Sequence, residues 1–241
     1  MSAAAGAAGS GRVPNAGSTP SPPGADRGNT GEAVETKAID PASGTRWTIV
    51  IPVKPATHGK SRLRVPGVGR EQLARAIALD TIAAAAAAAR VIVVTDDEQT
   101  AREARALGAD VCPDPGAGLD AAVAAGASLA GSDAYRAALL GDLPALRPDQ
   151  LAAALREAAS LPRAVVADAD GTGTTLVTAA PGMPWASAFG DGSFARHVAL
   201  GCVALGVPDT SSLRRDVDTA AQLAAASALG LGPRTSALLP G

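Results

Sequence analysis

WTIVIPVKPATHGKSRLR, residues 47–64, decides how the rest of this chain is read. Its apolar run, Ile49-Val50-Ile51, stops at Pro52, and four cations follow: Lys54, Lys60, Arg62 and Arg64. An unbroken β-branched run reads as a buried strand. Cations just past its carboxyl end read as an anion site, because α/β sheets bind ligands in the crevice outside the carboxyl ends of their strands. Nucleotide phosphates are the usual ligand there, and Lys54, Lys60 and Arg62 would meet a triphosphate. The plainer reading of the same residues is a solvated basic loop.

Outward from this strand the pattern alternates. The sequence predicts strands over 48–53, 90–95, 109–112, 135–140, 163–167, 174–179 and 202–207. It predicts helices over 70–89, 98–107, 119–130, 148–159, 193–200 and 219–229. The first helix ends in an alanine run, residues 83–89. Ala is the best helix former, and its small side chain lets a helix lie close on a sheet. Gly108 is a C-cap candidate, and Pro148 stands where a first helical residue often is proline. Strand-helix alternation with continuous β-branched strands predicts an α/β fold, a mostly parallel sheet with helices on both faces and right-handed crossovers. Residues 1–45 are dominated by Gly, Ala, Ser and Pro. They hold too little apolar surface to offset their ordering entropy, so a disordered N-terminal tail is expected there. Residues 46–230 make the folded domain, and 231–241 read as a flexible tail.

Composition narrows the function. The 241 residues are 47% hydrophobic and 18% charged, as a globular protein requires. Aromatics are only 2%, so the core must be Ala, Val, Leu and Ile, and a stacking platform for single-stranded nucleic acid is excluded. A net charge of −2 gives no footprint for duplex nucleic acid or a membrane surface. Cys112 and Cys202 have neither metal nor disulfide spacing and read as buried, inert thiols. No apolar run is long enough to span a bilayer, and residues 1–14 lack the basic start and apolar stretch of a secretory signal. A cytoplasmic location is expected. Oligomeric state is open, a homodimer included.

The acids mark the chemistry. Asp142, in LLGDLPAL, follows the strand predicted over 135–140. It either projects into the ligand crevice, the preferred reading, or caps the turn at Pro144. In RRDVDT, Asp216 and Asp218 lie on one face of an extended segment. Two carboxylates so placed repel unless a cation lies between them, and Mg²⁺ takes carboxylate oxygens while keeping positions for water and phosphate. Asp218 alone also fits a cap for the helix that follows. Asp96-Asp97 either meet a ribose or base, or cap the helix at Glu98, and the cap is favoured. Gly116 and Gly118, in DPGAGLD, allow close backbone approach to a ligand before the helix at Leu119. Ser193 suits an N-cap or an anion ligand, and His197 reads as a satisfied histidine on a helix face.

Six pieces stand in a fixed order: IPVKPATHGKSRL (51–63), VVTDD (93–97), LLGDLPAL (139–146), GTGTT (171–175), FGDGSFARH (189–197) and RRDVDT (214–219). The ordered set, over about residues 47–229, resembles the guanylyltransferases of coenzyme F-420 biosynthesis. That resemblance implies a Rossmann-like nucleotidyltransferase fold of the GT-A type. It implies transfer of GMP from GTP to a small phosphorylated acid: phosphoenolpyruvate in the actinobacterial branch, 2-phospho-L-lactate in the archaeal one. The Ala-rich, aromatic-poor composition resembles actinobacterial proteins, and that resemblance implies phosphoenolpyruvate. By the same resemblance, Thr174, Gly190 and Ser193 hold phosphoenolpyruvate, and Asp142, Asp216 and Asp218 hold catalytic Mg²⁺. Lys54, Lys60, Arg62 and Gly118 are the nucleotide-binding candidates. The family often carries Asn where this chain has Asp120, which bears on any nucleotide contact at that position. Related molybdopterin or sugar nucleotidyltransferases carry a Gly-rich loop with a later Lys after the first strand, and PVKPATHGKSRL does not match it. A nucleotide-binding regulator without turnover is the non-enzymatic alternative.

Overall fold

The computed structural model describes residues 46–54 and 63–239. The tail expected over 1–45, and the candidates Lys60 and Arg62, lie outside the described residues. Seven strands follow in chain order: β1 (Trp47–Pro52), β2 (Arg90–Val94), β3 (Asp110–Cys112), β4 (Tyr135–Leu139), β5 (Arg163–Ala167), β6 (Thr174–Ala179) and β7 (Val203–Ala204). The helices are α1 (Arg70–Ala86), α2 (Glu98–Ala106), α3 (Leu119–Ala130), α4 (Pro148–Ala158), α5 (Ser193–Ala199), α6 (Ala220–Ser227) and α7 (Pro233–Ser236). The strands form one sheet in the order β3-β2-β1-β4-β6-β5-β7. Neighbours pair in parallel except around β6, which is antiparallel to both β4 and β5. The connection over residues 168–173 is too short for a crossover, so β5 and β6 can only form a hairpin.

Strand alternation sends successive side chains to opposite layers. Ile49, Ile51, Val91, Val93 and Leu139 pack with Leu79 and Ile82 of α1, Ala104 of α2 and Leu151 and Leu155 of α4. On the other face Val50 and Val94 meet Ala122 and Ala127 of α3, while Val165 and Val177 meet Val123. Helices therefore cover both faces, as the continuous apolar strands require. Gly126 of α3 sets the closeness of one layer. A Cβ there would stand 2.4 Å from Cγ1 of Val50.

Most predicted elements are recovered within a residue or two. The alanine-rich helix ends at Ala86, three residues earlier than expected. Alanine carries no stop signal, and the chain must turn into β2: the N–H groups of Ala88 and Ala89 both return to the Ala85 carbonyl, at 2.9 Å each. The strand expected over 202–207 shrinks to β7. Cys202 is buried, but Cys112, expected to be buried as well, is half-buried at the end of an edge strand. Among the described residues no helix is long and apolar enough to cross a membrane.

The expectation of a flexible stretch over 231–241 is corrected for its described part. Residues 233–236 form α7, which packs on α1. The cause is Asp80 of α1, 4% exposed, whose carboxylate accepts the Arg234 N–H at 3.1 Å and the Thr235 N–H at 2.7 Å. The Gly232 N–H reaches the Pro144 carbonyl at 2.7 Å. Leu229, Leu231, Leu238 and Leu239 then close a second apolar cluster with Leu63, Leu73, Ile77, Val217 and Leu223. Four residues rich in Pro and Ser give no helical periodicity, so this element escapes a pattern reading.

Two stability outcomes follow from the packing. Gly126→Val should lower the denaturation midpoint at unchanged m-value, by about 1–3 kcal/mol, through overpacking against Val50. Asp80→Ala should cost roughly 2 kcal/mol or more, because it strands two inward-facing amides. It should also make residues 229–239 the first site of limited proteolysis.

Candidate active site

The carboxyl edge of the sheet collects the acids. Asp142 follows β4, and the Val217 N–H donates to the Asp142 carbonyl at 3.0 Å, docking the 216–218 segment against that strand end. Val217 is fully buried in the second apolar cluster. Its neighbours in an extended segment must then face the other way, toward Asp142. One ligand oxygen from each of Asp142, Asp216 and Asp218 lies within 4.8 Å of the others. The helix that follows is capped by Thr219, whose hydroxyl accepts the Gln222 N–H at 3.2 Å. The capping role considered for Asp218 therefore falls to its neighbour.

Electrostatics make this cluster costly. Burial first, then the fields of Asp142, Asp168 and Asp218, raise the Asp216 carboxyl from its ordinary value to about 7. Like charges that share a site push a proton onto one of their number. A divalent cation would reverse that bias, and an all-oxygen carboxylate set is the chemistry Mg²⁺ or Mn²⁺ prefers. The residues present fit such an ion.

Asp168 was not singled out from the sequence. It stands just past β5, as Asp142 stands just past β4, and that shared position was the available signal. Its carboxylate accepts the N–H groups of Thr172 and Gly173, at 3.0 and 2.9 Å, and its carbonyl accepts Nε and Nη2 of Arg214. Asp168 thus shapes the GTGT turn and ties it to the segment bearing Asp216.

A second group gathers around that turn. The Phe194 N–H donates to the Thr172 carbonyl at 3.1 Å, joining α5 to the turn. Thr174 and Ser193 are buried, and the Ser193 N–H donates to the Gly190 carbonyl at 3.0 Å. Thr174, Gly190 and Ser193 are thus brought together. Ser193 is the first residue of α5, whose N-cap is Gly192, so the N-cap alternative for Ser193 is set aside. Gly190 has φ +105°, a backbone state that a side chain would strain. His197, fully buried, contacts the Thr174 hydroxyl through Nδ1 at 3.0 Å and accepts the Ala188 N–H at Nε2, at 2.9 Å. Burial holds this imidazole below its ordinary range, partly offset by the charge of Asp120. Asp120 accepts the Phe189 N–H at 3.1 Å, so it braces the loop over residues 188–191.

Of the nucleotide candidates, Lys54 and Gly118 lie among the described residues. Lys54 is exposed two residues past β1. Gly118, φ +98°, is the N-cap of α3, and no side chain caps that helix. Asp97 accepts the Thr100 N–H at 2.6 Å, so the favoured capping reading holds for it, and that bond is the main cause of its lowered pKa. Asp96 accepts the Asp114 N–H at 3.0 Å.

Known proteins match this architecture. A family model described as guanylyl transferase, CofC like, matches residues 47–226. A phosphoenolpyruvate guanylyltransferase of Thermomonospora curvata is 52% identical over 200 residues, spanning 80% of this chain and 88% of that protein. One from Streptomyces coelicolor is 50% identical over 202 residues, spanning 80% and 95%. A solved nucleotidyl transferase from Methanothermobacter thermautotroptrophicus shares the fold, with TM-score 0.51 at 16% identity, over 77% of this chain and 98% of that one. By its sequence over residues 47–226, the chain belongs to the CofC-like guanylyl transferase family.

Proposed function

We propose that this chain transfers GMP from GTP to the phosphate of phosphoenolpyruvate, giving enolpyruvyl-diphospho-guanosine and pyrophosphate, a step of coenzyme F-420 biosynthesis in the cytoplasm. The observation that carries the reading is the convergence of Asp142, Asp216 and Asp218 at the carboxyl edge of the sheet. Thr174, Gly190 and Ser193 would form the cradle for the acceptor; the turn that leads to Thr174 is tied through Asp168 to Arg214, two residues before Asp216. Relatives at about half identity bear the name of this activity, which supports the choice of acceptor.

An acceptor phosphate oxygen attacks the α-phosphorus of GTP in line. The new bond is O–Pα, and the bond between Pα and the bridging oxygen of the β-phosphate breaks, releasing pyrophosphate. The attacking oxygen is already anionic at neutral pH, so no general base is needed, and the one described histidine, His197, is buried with both ring nitrogens engaged. The obstacle is charge. Two unit charges about 4 Å apart repel by roughly 4 kcal/mol at an effective dielectric near 20. Asp142, Asp216 and Asp218 would hold Mg²⁺, which when bound supplies positive charge to the reacting phosphates. Lys54, with Lys60 and Arg62, adds cationic side chains on the nucleotide side, and Gly118 lets backbone approach it. On the acceptor side Thr174 and Ser193 offer hydroxyls and Gly190 its amide, since the Ser193 amide is already bonded. Positioning and electrostatics do the work.

The decisive measurement is pyrophosphate release with GTP, ATP or CTP against phosphoenolpyruvate, 2-phospho-L-lactate or 3-phosphoglycerate. GTP with phosphoenolpyruvate should give the highest kcat/KM. Faster turnover of another acid would replace the acceptor, and no release with any pair would sink the catalytic reading.

Asp216→Asn should cut turnover by about a hundredfold or more, the scale of losing a preorganised charge in such a site. The same change should stabilise the ion-free fold. Because the Asp216 pKa is raised, the folded state keeps a proton that the unfolded chain gives up. The stability it confers is whole below the ordinary carboxylate range and is lost as pH rises toward about 7. Asparagine removes that loss, so at pH 8 in chelator the variant should melt a few degrees above the parent, and at pH 4 close to it.

A further inference from the structure

The hydrogen bonds of His197 fix its protonation state. The Ala188 N–H can only donate, so Nε2 of His197 must accept. A neutral ring then carries its proton on Nδ1 and donates it to the Thr174 hydroxyl, 3.0 Å away. Thr174 is spent as an acceptor in that direction, and its own hydrogen turns elsewhere. Burial supports the neutral form. Strand alternation alone would send Thr174 to the face of Leu176. A register irregularity between β5 and β6, where one step at Val166 and Ala167 spans Leu176 to Thr174, frees it to reach α5.

The loop ahead of α5 is clamped from three sides. His197 takes the Ala188 N–H and Asp120 takes the Phe189 N–H. Arg196 donates from Nε to the Ala188 carbonyl, from Nη2 to the Phe189 carbonyl and from Nη1 to the Asp191 carbonyl. Ser193 takes the Gly190 carbonyl. These bonds engage the carbonyls of Ala188, Phe189, Gly190 and Asp191. Among the described residues no acceptor takes the Gly190 N–H.

We propose that His197 is a positioning residue for the acceptor: its Nδ1–H turns the Thr174 hydroxyl into an obligate donor to the acceptor's anionic group, and its Nε2 pins the loop that carries Gly190. This rests on the reading that Thr174 and Gly190 hold the phosphorylated acid. A Thr174 hydroxyl held as a donor beside the Gly190 amide favours an anionic group such as a phosphate or carboxylate, which can only accept.

Two substitutions separate the two roles. His197→Gln keeps an acceptor near the Nε2 position but gives Thr174 no donor, whereas His197→Asn keeps a donor near Nδ1 and abandons Ala188. His197→Gln should raise KM for the acceptor about tenfold, the worth of one hydrogen bond, with KM for GTP unchanged. Thr174→Val should do as much, and the double variant Thr174→Val/His197→Gln should be no worse than either. His197→Asn should restore part of the loss relative to His197→Gln. An acceptor KM at the parent value in His197→Gln, equal rises in both KM values, or additive losses in the double variant would overturn the proposal. Long-range proton–nitrogen correlation spectra of the unsubstituted protein give a readout free of activity and of folding defects in variants. They should show a neutral ring protonated on Nδ1, and an Nε2-protonated ring or an imidazolium would overturn it. If Thr174→Val and Ser193→Ala leave the acceptor KM unmoved while the spectrum is as expected, the site reading fails and the tautomer stands.

Discussion

Mutual repulsion among carboxylates is the constraint around which this molecule is arranged. Asp142, Asp216 and Asp218 bring ligand oxygens within 4.8 Å of one another, and Asp168 adds its field to Asp216. The fields of Asp142, Asp168 and Asp218 all act against a charged Asp216. Apolar and backbone contacts draw the segment in, with Val217 buried among leucines and its N–H on the Asp142 carbonyl, and the Arg214 guanidinium anchors it on the Asp168 carbonyl. Apolar burial thus holds in place what electrostatics would scatter, an arrangement that would suit the cation proposed for this cluster.

The proposed acceptor side is built on the opposite logic. There the charged groups, Asp120 and Arg196, work on backbone amides and carbonyls rather than on each other. Their task is to hold dipoles still. A site that pairs a repulsive acid cluster with a rigid donor cradle suits a reaction between two anions, where orientation and charge dominate and proton transfer is idle.

Much of this was legible in the chain. β1, α3 and the β5–β6 pair follow from β-branched runs and apolar spacing, because burial on both faces leaves a continuous hydrophobic signal. Asp142, Asp216 and Asp218 could be read because strand ends and two-residue spacing fix direction without knowledge of distant contacts. Asp168 and Asp120 could not be read in the same way. Their partners are backbone amides brought by other elements, and no local pattern encodes a bond between residue 120 and residue 189. Helix α7 is hidden for a similar reason: it exists because Asp80 receives it, not because its own four residues favour a helix.

Asp80 also gives the molecule a timetable. Its carboxylate waits for amides 154 and 155 residues further along the chain. At a synthesis pace of about 5–20 residues per second, that is roughly 8–30 s during which a nascent α1 displays an acid meant for the interior. The bonds that hold α7 against α1 therefore cannot form until nearly the whole of the described domain has been made.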